Sequence, residues 1–104
     1  MFVAYDVSLE LVRLLREVVP RIARHDAELA KQMTSAANSI VLNLGEGRRR
    51  RGADPRRFYG YAHGSASEVR AALDLATAWG WTDDTADARR ALDRLLGLLW
   101  GLTR

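Results

Sequence analysis

The residues Leu44-Gly45-Glu46-Gly47-Arg48-Arg49-Arg50-Arg51-Gly52-Ala53-Asp54-Pro55 mark the end of one predicted helix and the start of the next. Glycines 45 and 47 end an apolar helical pattern, and the arginines after them suit the negative end of its dipole. Asp54 is a natural N-cap, and Pro55 then occupies the first helical position, where an N–H is not needed. The stretch therefore predicts two helices joined by a loop over residues 46–54.

Apolar residues recur at helical spacing on both sides of this loop. The upstream pattern follows the N-cap candidate Asp26, and the downstream pattern runs for about 25 residues to the C-cap candidate Gly80. The inner faces are predicted to consist of Leu29, Met33, Ala36, Ile40 and Leu44 upstream, and of Phe58, Ala62, Ser65, Val69, Ala72, Ala76 and Trp79 downstream.

Two further helices complete the pattern. The first is predicted to begin at Asp6 or Ser8 and to end or kink near Pro20, because proline removes a backbone donor. The last is predicted to begin at residues 82–84, where two acids suit the dipole. Their inner faces consist of Leu11, Leu15, Val18 and Ile22, and of Ala88, Leu92, Leu95, Leu99 and Leu102. No segment alternates with period two, so no strand is predicted.

Four helices with short connections near residues 20–26, 46–54 and 80–83 favour an all-α fold, an antiparallel up-down-up-down four-helix bundle. At 104 residues the chain is expected to form one domain, 1–104. In this topology the 46–54 loop and both termini lie at one end. Asp26, Asp83 and Asp84 lie at the other end, which predicts a bipolar molecule.

The excess positive charge is confined to residues 48–57. That segment carries six arginines and one aspartate, whereas the whole chain has a net charge of +3. The candidate nucleic-acid-binding residues are therefore Arg48, Arg49, Arg50, Arg51, Arg56 and Arg57. Arginine binds phosphate as a bidentate fork. A protein partner with an acidic surface and simple solvation of the loop remain alternative interpretations.

Arg56 and Arg57 weigh in favour of a functional interpretation of the loop. They lie in the first turn of a predicted helix, where the dipole disfavours cations. Such local conflicts often mark functional sites.

Nothing in the sequence predicts catalysis, a metal or a cofactor. Cysteine is absent, and His25 and His63 have no second ligand at metal spacing. Asn43 and Glu46 share a helix face, but we interpret them as securing the helix end, with Glu46 pairing an arginine. The N-terminus lacks a signal-peptide pattern and no long apolar run occurs, so we expect a cytoplasmic protein without a membrane partner.

The spacing of particular residues along the helices makes a family recognisable. The relevant residues are Gln32, Ala36, Ala37, Ser39, Ile40, Asn43, Leu44, Glu46, Gly47 and Arg49, then Phe58, Tyr59, Ala62, Gly64, Ser65, Ala66 and Glu68, then Ala76, Trp79, Gly80 and Trp81. Over about residues 8–100 the chain resembles the bacterial four-helix-bundle family of ribosomal-RNA intervening-sequence proteins, which includes the accessory variability determinant of diversity-generating retroelements. Thr34 and Ser35 depart from the family, which usually has basic residues there, and Gly45 replaces its usual alanine.

The resemblance implies a homo-oligomer, with a pentameric ring favoured, and implies nucleic acid and a reverse transcriptase or other protein as partners. An excess of apolar residues on the last helix, including Leu96, Leu98 and Trp100, independently favours self-association. We therefore expect a non-enzymatic oligomeric adaptor that binds RNA or DNA through the basic loop. The alternative is a structural or protein-interaction ring subunit with no nucleic-acid role.

Overall fold

A computed structural model describes all 104 residues and contains four α-helices and no strand. The helices are α1 (Val3–Ala23), α2 (Ala27–Arg48), α3 (Asp54–Ala78) and α4 (Ala86–Leu102). Each helix packs against its neighbours in sequence, and α4 closes the bundle against α1. The bundle measures 44 × 22 × 19 Å, and it confirms the predicted antiparallel four-helix fold. None of its helices combines the length and the apolar character that crossing a membrane requires.

A single hydrophobic core of 22 buried residues draws on all four helices. The predicted inner faces of α1 and α4 are buried, with Leu102 half-buried at the end of α4. The prediction for Trp79 is wrong, because this side chain is 68% exposed. Trp79 follows the last residue of α3, where the chain turns away from the bundle, and Leu73 fills the core of α3 instead.

The first helix begins earlier and ends later than the sequence predicts. It starts at Val3, and Ser8 is not a cap: its buried hydroxyl donates to the Tyr5 carbonyl at 2.6 Å. Pro20 lies inside the helix, which continues to Ala23. Proline at this position leaves the carbonyl of the exposed Arg16 without an intrahelical donor, but water can bind that carbonyl.

The end of α2 also differs from the prediction. Its start is as expected, because the Leu29 N–H donates to the Asp26 carboxylate at 2.9 Å. Gly45 and Gly47, however, do not end the helix, which continues to Arg48. The chain reverses at Gly52, whose φ of +68° lies in the left-handed region that favours glycine. The connection is therefore the short turn 49–53.

The close contact between α2 and α3 requires a glycine at position 47. A Cβ atom at this position would lie 2.6 Å from Tyr59 Cε1 and 3.2 Å from Phe58 Cβ. The missing side chain thus allows the end of α2 to lie directly against the first two turns of α3.

A Schellman motif ends α3 before the connection to α4. The Trp81 N–H donates to the Ala76 carbonyl at 2.9 Å, and the Gly80 N–H donates to the Thr77 carbonyl at 3.0 Å. Gly80 has φ +76°, which confirms its predicted role as the C-cap glycine. The start of α4 is later than predicted, because residues 82–84 stay outside the helix and Thr85 precedes its first residue.

Both termini and the 49–53 turn meet at one end of the bundle, as predicted. The Phe2 and Tyr59 rings pack edge to face at 5.7 Å, which places the N-terminus against the start of α3. The opposite end holds Asp26, Asp83 and Asp84, with Arg21 and Arg24 beside them. The net negative charge there is therefore small, and the charge difference between the two ends comes mainly from the arginines near the 49–53 turn.

The bundle itself absorbs most of the apolar excess of α4. Leu96, Leu98 and Leu102 pack half-buried against the core, and only Trp100 remains largely exposed. Exposed apolar side chains also occur on α2 and α3. Apart from the N-terminal Met1 and Val3, the large exposed apolar residues are Leu42, Tyr61, Leu75, Trp79 and Trp100.

We expect Gly47→Ala to destabilise the protein by about 1–3 kcal/mol, because the added methyl group overpacks the α2–α3 contact. Gly64→Ala is the matched control, since a Cβ there meets nothing within 4 Å. Alanine at 64 should stabilise α3 by about 0.5–1 kcal/mol. Urea unfolding measures both values, and a Gly47→Ala protein as stable as the parent would contradict the packing argument.

Candidate nucleic-acid interface

The six candidate arginines lie together at the end of the bundle that holds the 49–53 turn and both termini. We call it the basic end. Arg48 is the last residue of α2, residues 49–51 begin the turn, and Arg56 and Arg57 lie in the first turn of α3. All six are exposed. The close packing of α2 against α3 at Gly47 therefore brings arginines from two helix termini and one turn onto the same surface.

Arg50 is held in place by two carboxylates. Its Nε and Nη2 atoms donate to Glu46 Oε1 at 3.0 and 2.6 Å, and its Nη1 lies 3.6 Å from Asp54 Oδ2. The guanidinium carbon also lies 5.0 Å from the centroid of the Phe58 ring. The three charged residues, Glu46, Arg50 and Asp54, are spaced four apart and link the end of α2 to the start of α3. We call them the Arg50 staple.

The staple fixes the charge of Glu46. The hydrogen bond from Arg50 lowers the pKa of the Glu46 carboxyl below its ordinary value of 4.5, and the charges of Arg49 and Arg50 act in the same direction. Desolvation of the carboxyl opposes this shift only in part. Glu46 is consequently ionised at neutral pH and neutralises one arginine, as its pairing prediction expected.

Asn43 does not join Glu46 in a common polar site. Its amide donates to the Ser39 carbonyl at 2.9 Å and to the Ser39 hydroxyl at 3.0 Å. The Ser65 hydroxyl also donates to the Ser39 hydroxyl at 3.0 Å, so this network ties α2 to α3. The contacts support the interpretation of Asn43 as a structural residue.

The other arginines are bound more loosely. Arg49 and Arg57 lie 3.9 and 4.0 Å from Glu46 and Asp54, distances too long for hydrogen bonds. Arg48 stacks over the Tyr5 ring, with its guanidinium carbon 4.4 Å from the centroid. Their donor atoms therefore remain open to a ligand.

Arg51 and Arg56 have no partner within the protein. Neither side chain takes part in a hydrogen bond, an ion pair or a cation–π contact. Both lie beside the staple, one in the turn and one on the first turn of α3. We call these two residues the free arginines.

Aromatic side chains form the base of this surface. Tyr59 packs against Phe2 and Gly47, and burial raises the pKa of its hydroxyl while Arg48 lowers it to a lesser extent. Arg104 adds a further cation at the same end of the bundle, with its guanidinium carbon 3.8 Å from the centroid of the Trp100 ring.

The arrangement suits the binding of a polyanion. Six arginines stand against two carboxylates over residues 46–57, so this segment carries a net charge of +4. The guanidinium groups of Arg49, Arg57 and the free arginines can each donate two hydrogen bonds to a phosphate. Sequence analysis grouped all six arginines and did not separate Arg50 from the others. The four-residue spacing of Glu46 and Arg50 would have been a signal only if α2 had been predicted to continue past Gly47.

We expect the Glu46–Arg50 pair to stabilise the fold at neutral pH and to lose its effect in acid. Because the folded-state pKa of Glu46 is lowered, its contribution is present above about pH 4.5 and falls as the pH drops through the folded-state value. The difference in unfolding free energy between the parent and Glu46→Gln should therefore shrink on acidification. Glu68→Gln, an exposed carboxylate without an ion pair, is the control. Urea unfolding over a pH series would contradict this if the Glu46→Gln difference stayed constant in acid.

The comparison with known families agrees with the family resemblance recognised in the sequence. The family described as 23S rRNA-intervening sequence protein matches residues 2–100, which include the whole of α1, α2 and α3 and most of α4. Among curated proteins, no relative matches the chain. Since the match spans nearly the entire sequence, this chain belongs to the family of 23S rRNA-intervening sequence proteins.

Proposed function

We propose that this protein is a non-enzymatic adaptor of the cytoplasm that binds RNA or DNA through its basic end. The observation that carries the proposal is the pair of free arginines, exposed and without partners, one in the turn between two packed helices and one at the start of α3. The family description refers to ribosomal RNA, and this supports a nucleic acid over an acidic protein as the ligand.

Such a surface binds the phosphate backbone. Arginine contacts to phosphates release counterions, so the affinity falls steeply with salt and depends little on base sequence. No helix is presented for insertion into a major groove, because the arginines occupy a turn and two helix termini. We accordingly propose that binding is general for nucleic acid, and that selectivity comes from a protein partner. The resemblance to retroelement accessory proteins suggests a reverse transcriptase as that partner.

Self-association is the second part of the proposal. Leu42, Tyr61, Leu75 and Trp100 leave large apolar surfaces in water on three different helices, which the monomer does not cover. A homo-oligomer would bury part of this surface, and the family resemblance favours a pentameric ring. These same residues also favour the alternative function, a ring subunit that serves only protein contacts.

Replacing both free arginines, Arg51→Ala with Arg56→Ala, should weaken binding of RNA and DNA about tenfold for each charge-assisted hydrogen bond to phosphate that is removed. The slope of log affinity against log salt should fall by about 0.7–0.9 for each phosphate that the variant no longer neutralises. Fluorescence anisotropy with labelled single-stranded RNA and DNA over a potassium chloride series measures both quantities.

The control for this experiment is Arg21→Ala with Arg24→Ala, which removes two charges from the opposite end of the bundle. It should leave the affinity and the salt slope nearly unchanged. If the Arg51/Arg56 variant bound RNA as tightly as the parent at moderate salt, the basic end would not be the binding site. The ring-subunit alternative would then be preferred.

We expect sedimentation equilibrium at micromolar concentration to give the mass of a pentamer of the 11.6 kDa chain. The exposed apolar surface on α2, α3 and α4 is the physical reason for self-association, and the family resemblance is the reason for the number five. A mass of 11.6 kDa would contradict self-association altogether. A clean dimer or tetramer would contradict only the pentamer.

A further inference from the structure

We propose that Glu46, an acidic residue within a basic surface, is a positioning residue for nucleic-acid binding. Through Arg50 it fixes the 49–53 turn, so that the neighbouring arginines are already ordered when they meet phosphates. This inference rests on the proposed function and assigns a role to Glu46 and Arg50, which do not serve as the main phosphate contacts. In this proposal Arg50 holds the turn in place, whereas Arg51 and Arg56 bind the phosphates.

The staple is the main connection that crosses the turn. The Arg50 N–H donates to the Gly47 carbonyl at 3.1 Å, which closes the last turn of α2. The N–H groups of residues 51–53 donate to no acceptor within the protein. Side-chain contacts must therefore hold this part of the turn, and Arg50 reaches both Glu46 on α2 and Asp54 on α3.

The burial of the side chains agrees with this division of roles. The Arg50 side chain is 38% exposed, compared with 70% for Arg49 and 55% for Arg57. The guanidinium groups of Arg50 and Arg57 both pack over the Phe58 ring, but of the two only Arg50 also donates hydrogen bonds to a carboxylate. Arg50 is thus the arginine with the fewest donor atoms open to a phosphate.

An ordered turn favours binding because less conformational freedom is given up when the ligand arrives. Fixing a long flexible side chain or a loop on binding reduces the affinity, and prior ordering avoids part of that reduction. If Glu46 no longer held Arg50, the arginines at 49, 51 and 56 would keep their charges but not their fixed arrangement.

Electrostatic attraction alone and a positioning role predict opposite effects on affinity when the Glu46 carboxylate is removed. Removing the Glu46 carboxylate raises the local positive charge by one, so a purely electrostatic surface should bind nucleic acid more tightly. A positioning role predicts weaker binding from the same substitution. The sign of the effect of Glu46→Gln therefore separates the two explanations.

The experiment compares Glu46→Gln and Arg50→Lys with the parent, using fluorescein-labelled single-stranded RNA of mixed sequence over a potassium chloride series. Arg50→Lys keeps the charge but removes the fork that joins two carboxylates. The matched controls are Glu10→Gln and Arg13→Lys, which disrupt a similar ion pair of 3.2 Å on α1.

Both staple variants should bind about three- to tenfold more weakly at every salt concentration, which is the reduction expected from ordering one or two side chains. The salt slope should stay close to that of the parent, because Arg48, Arg49, Arg51, Arg56 and Arg57 are all retained. The controls on α1 should change the affinity by less than about twofold. In the free protein, hydrogen–deuterium exchange of the Arg50 N–H, which donates to the Gly47 carbonyl, should be faster in Glu46→Gln than in the parent, with the helices unchanged.

Each remaining outcome counts against the inference. Equal or tighter RNA binding by Glu46→Gln, together with weaker binding by the Arg51/Arg56 variant, would overturn the positioning role and leave the proposed function intact. Normal binding by the Arg51/Arg56 variant would overturn both. Weakened binding by Glu46→Gln with a strongly reduced salt slope would mean that fewer phosphates were neutralised, and the positioning role would again be rejected.

Discussion

The close contact between Gly47 and Tyr59 is the constraint on which the basic end depends. Because no side chain separates α2 from α3 there, the two helices meet where they are joined, and the connection needs only residues 49–53. A short connection concentrates the arginines of both helix termini. The packing of a glycine against a tyrosine ring thus determines the charge density of the neighbouring surface.

Such a concentration of like charges must be offset within the fold. Arg56 and Arg57 lie at the positive end of the α3 dipole, where cations are unfavourable. Asp54, the first residue of α3, and Glu46 supply the opposing charges, and aromatic rings beside the turn accept guanidinium groups on their faces. The compensation is incomplete, because the segment retains a net positive charge. The folded protein therefore keeps unfavourable repulsion among these arginines, which a bound anion would reduce.

The sequence was sufficient for most of the fold, because apolar spacing and capping signals act over a few residues and the inner faces of α1 and α4 follow from them. Gly47 was wrongly interpreted as a helix terminator, since its contact with Tyr59 joins residues twelve apart and exists only in three dimensions. The same error concealed the arrangement of the site. With α2 assumed to stop at Gly47, the four-residue spacing of Glu46 and Arg50 had no structural meaning. The helix in fact extends to Arg48, and the Arg50 N–H still donates to the Gly47 carbonyl, so the chain stays coiled far enough to place Arg50 beside Glu46.

The position of the chain ends has a practical consequence for protein engineering. Both termini lie at the basic end, since Phe2 packs on Tyr59 and Arg104 follows the last turn of α4. A purification tag or fluorescent fusion attached at either terminus would emerge beside the arginines and obstruct a long anionic polymer. The exposed residues 83 and 84, at the far end of a bundle 44 Å long, offer an insertion point for a label that leaves this surface accessible.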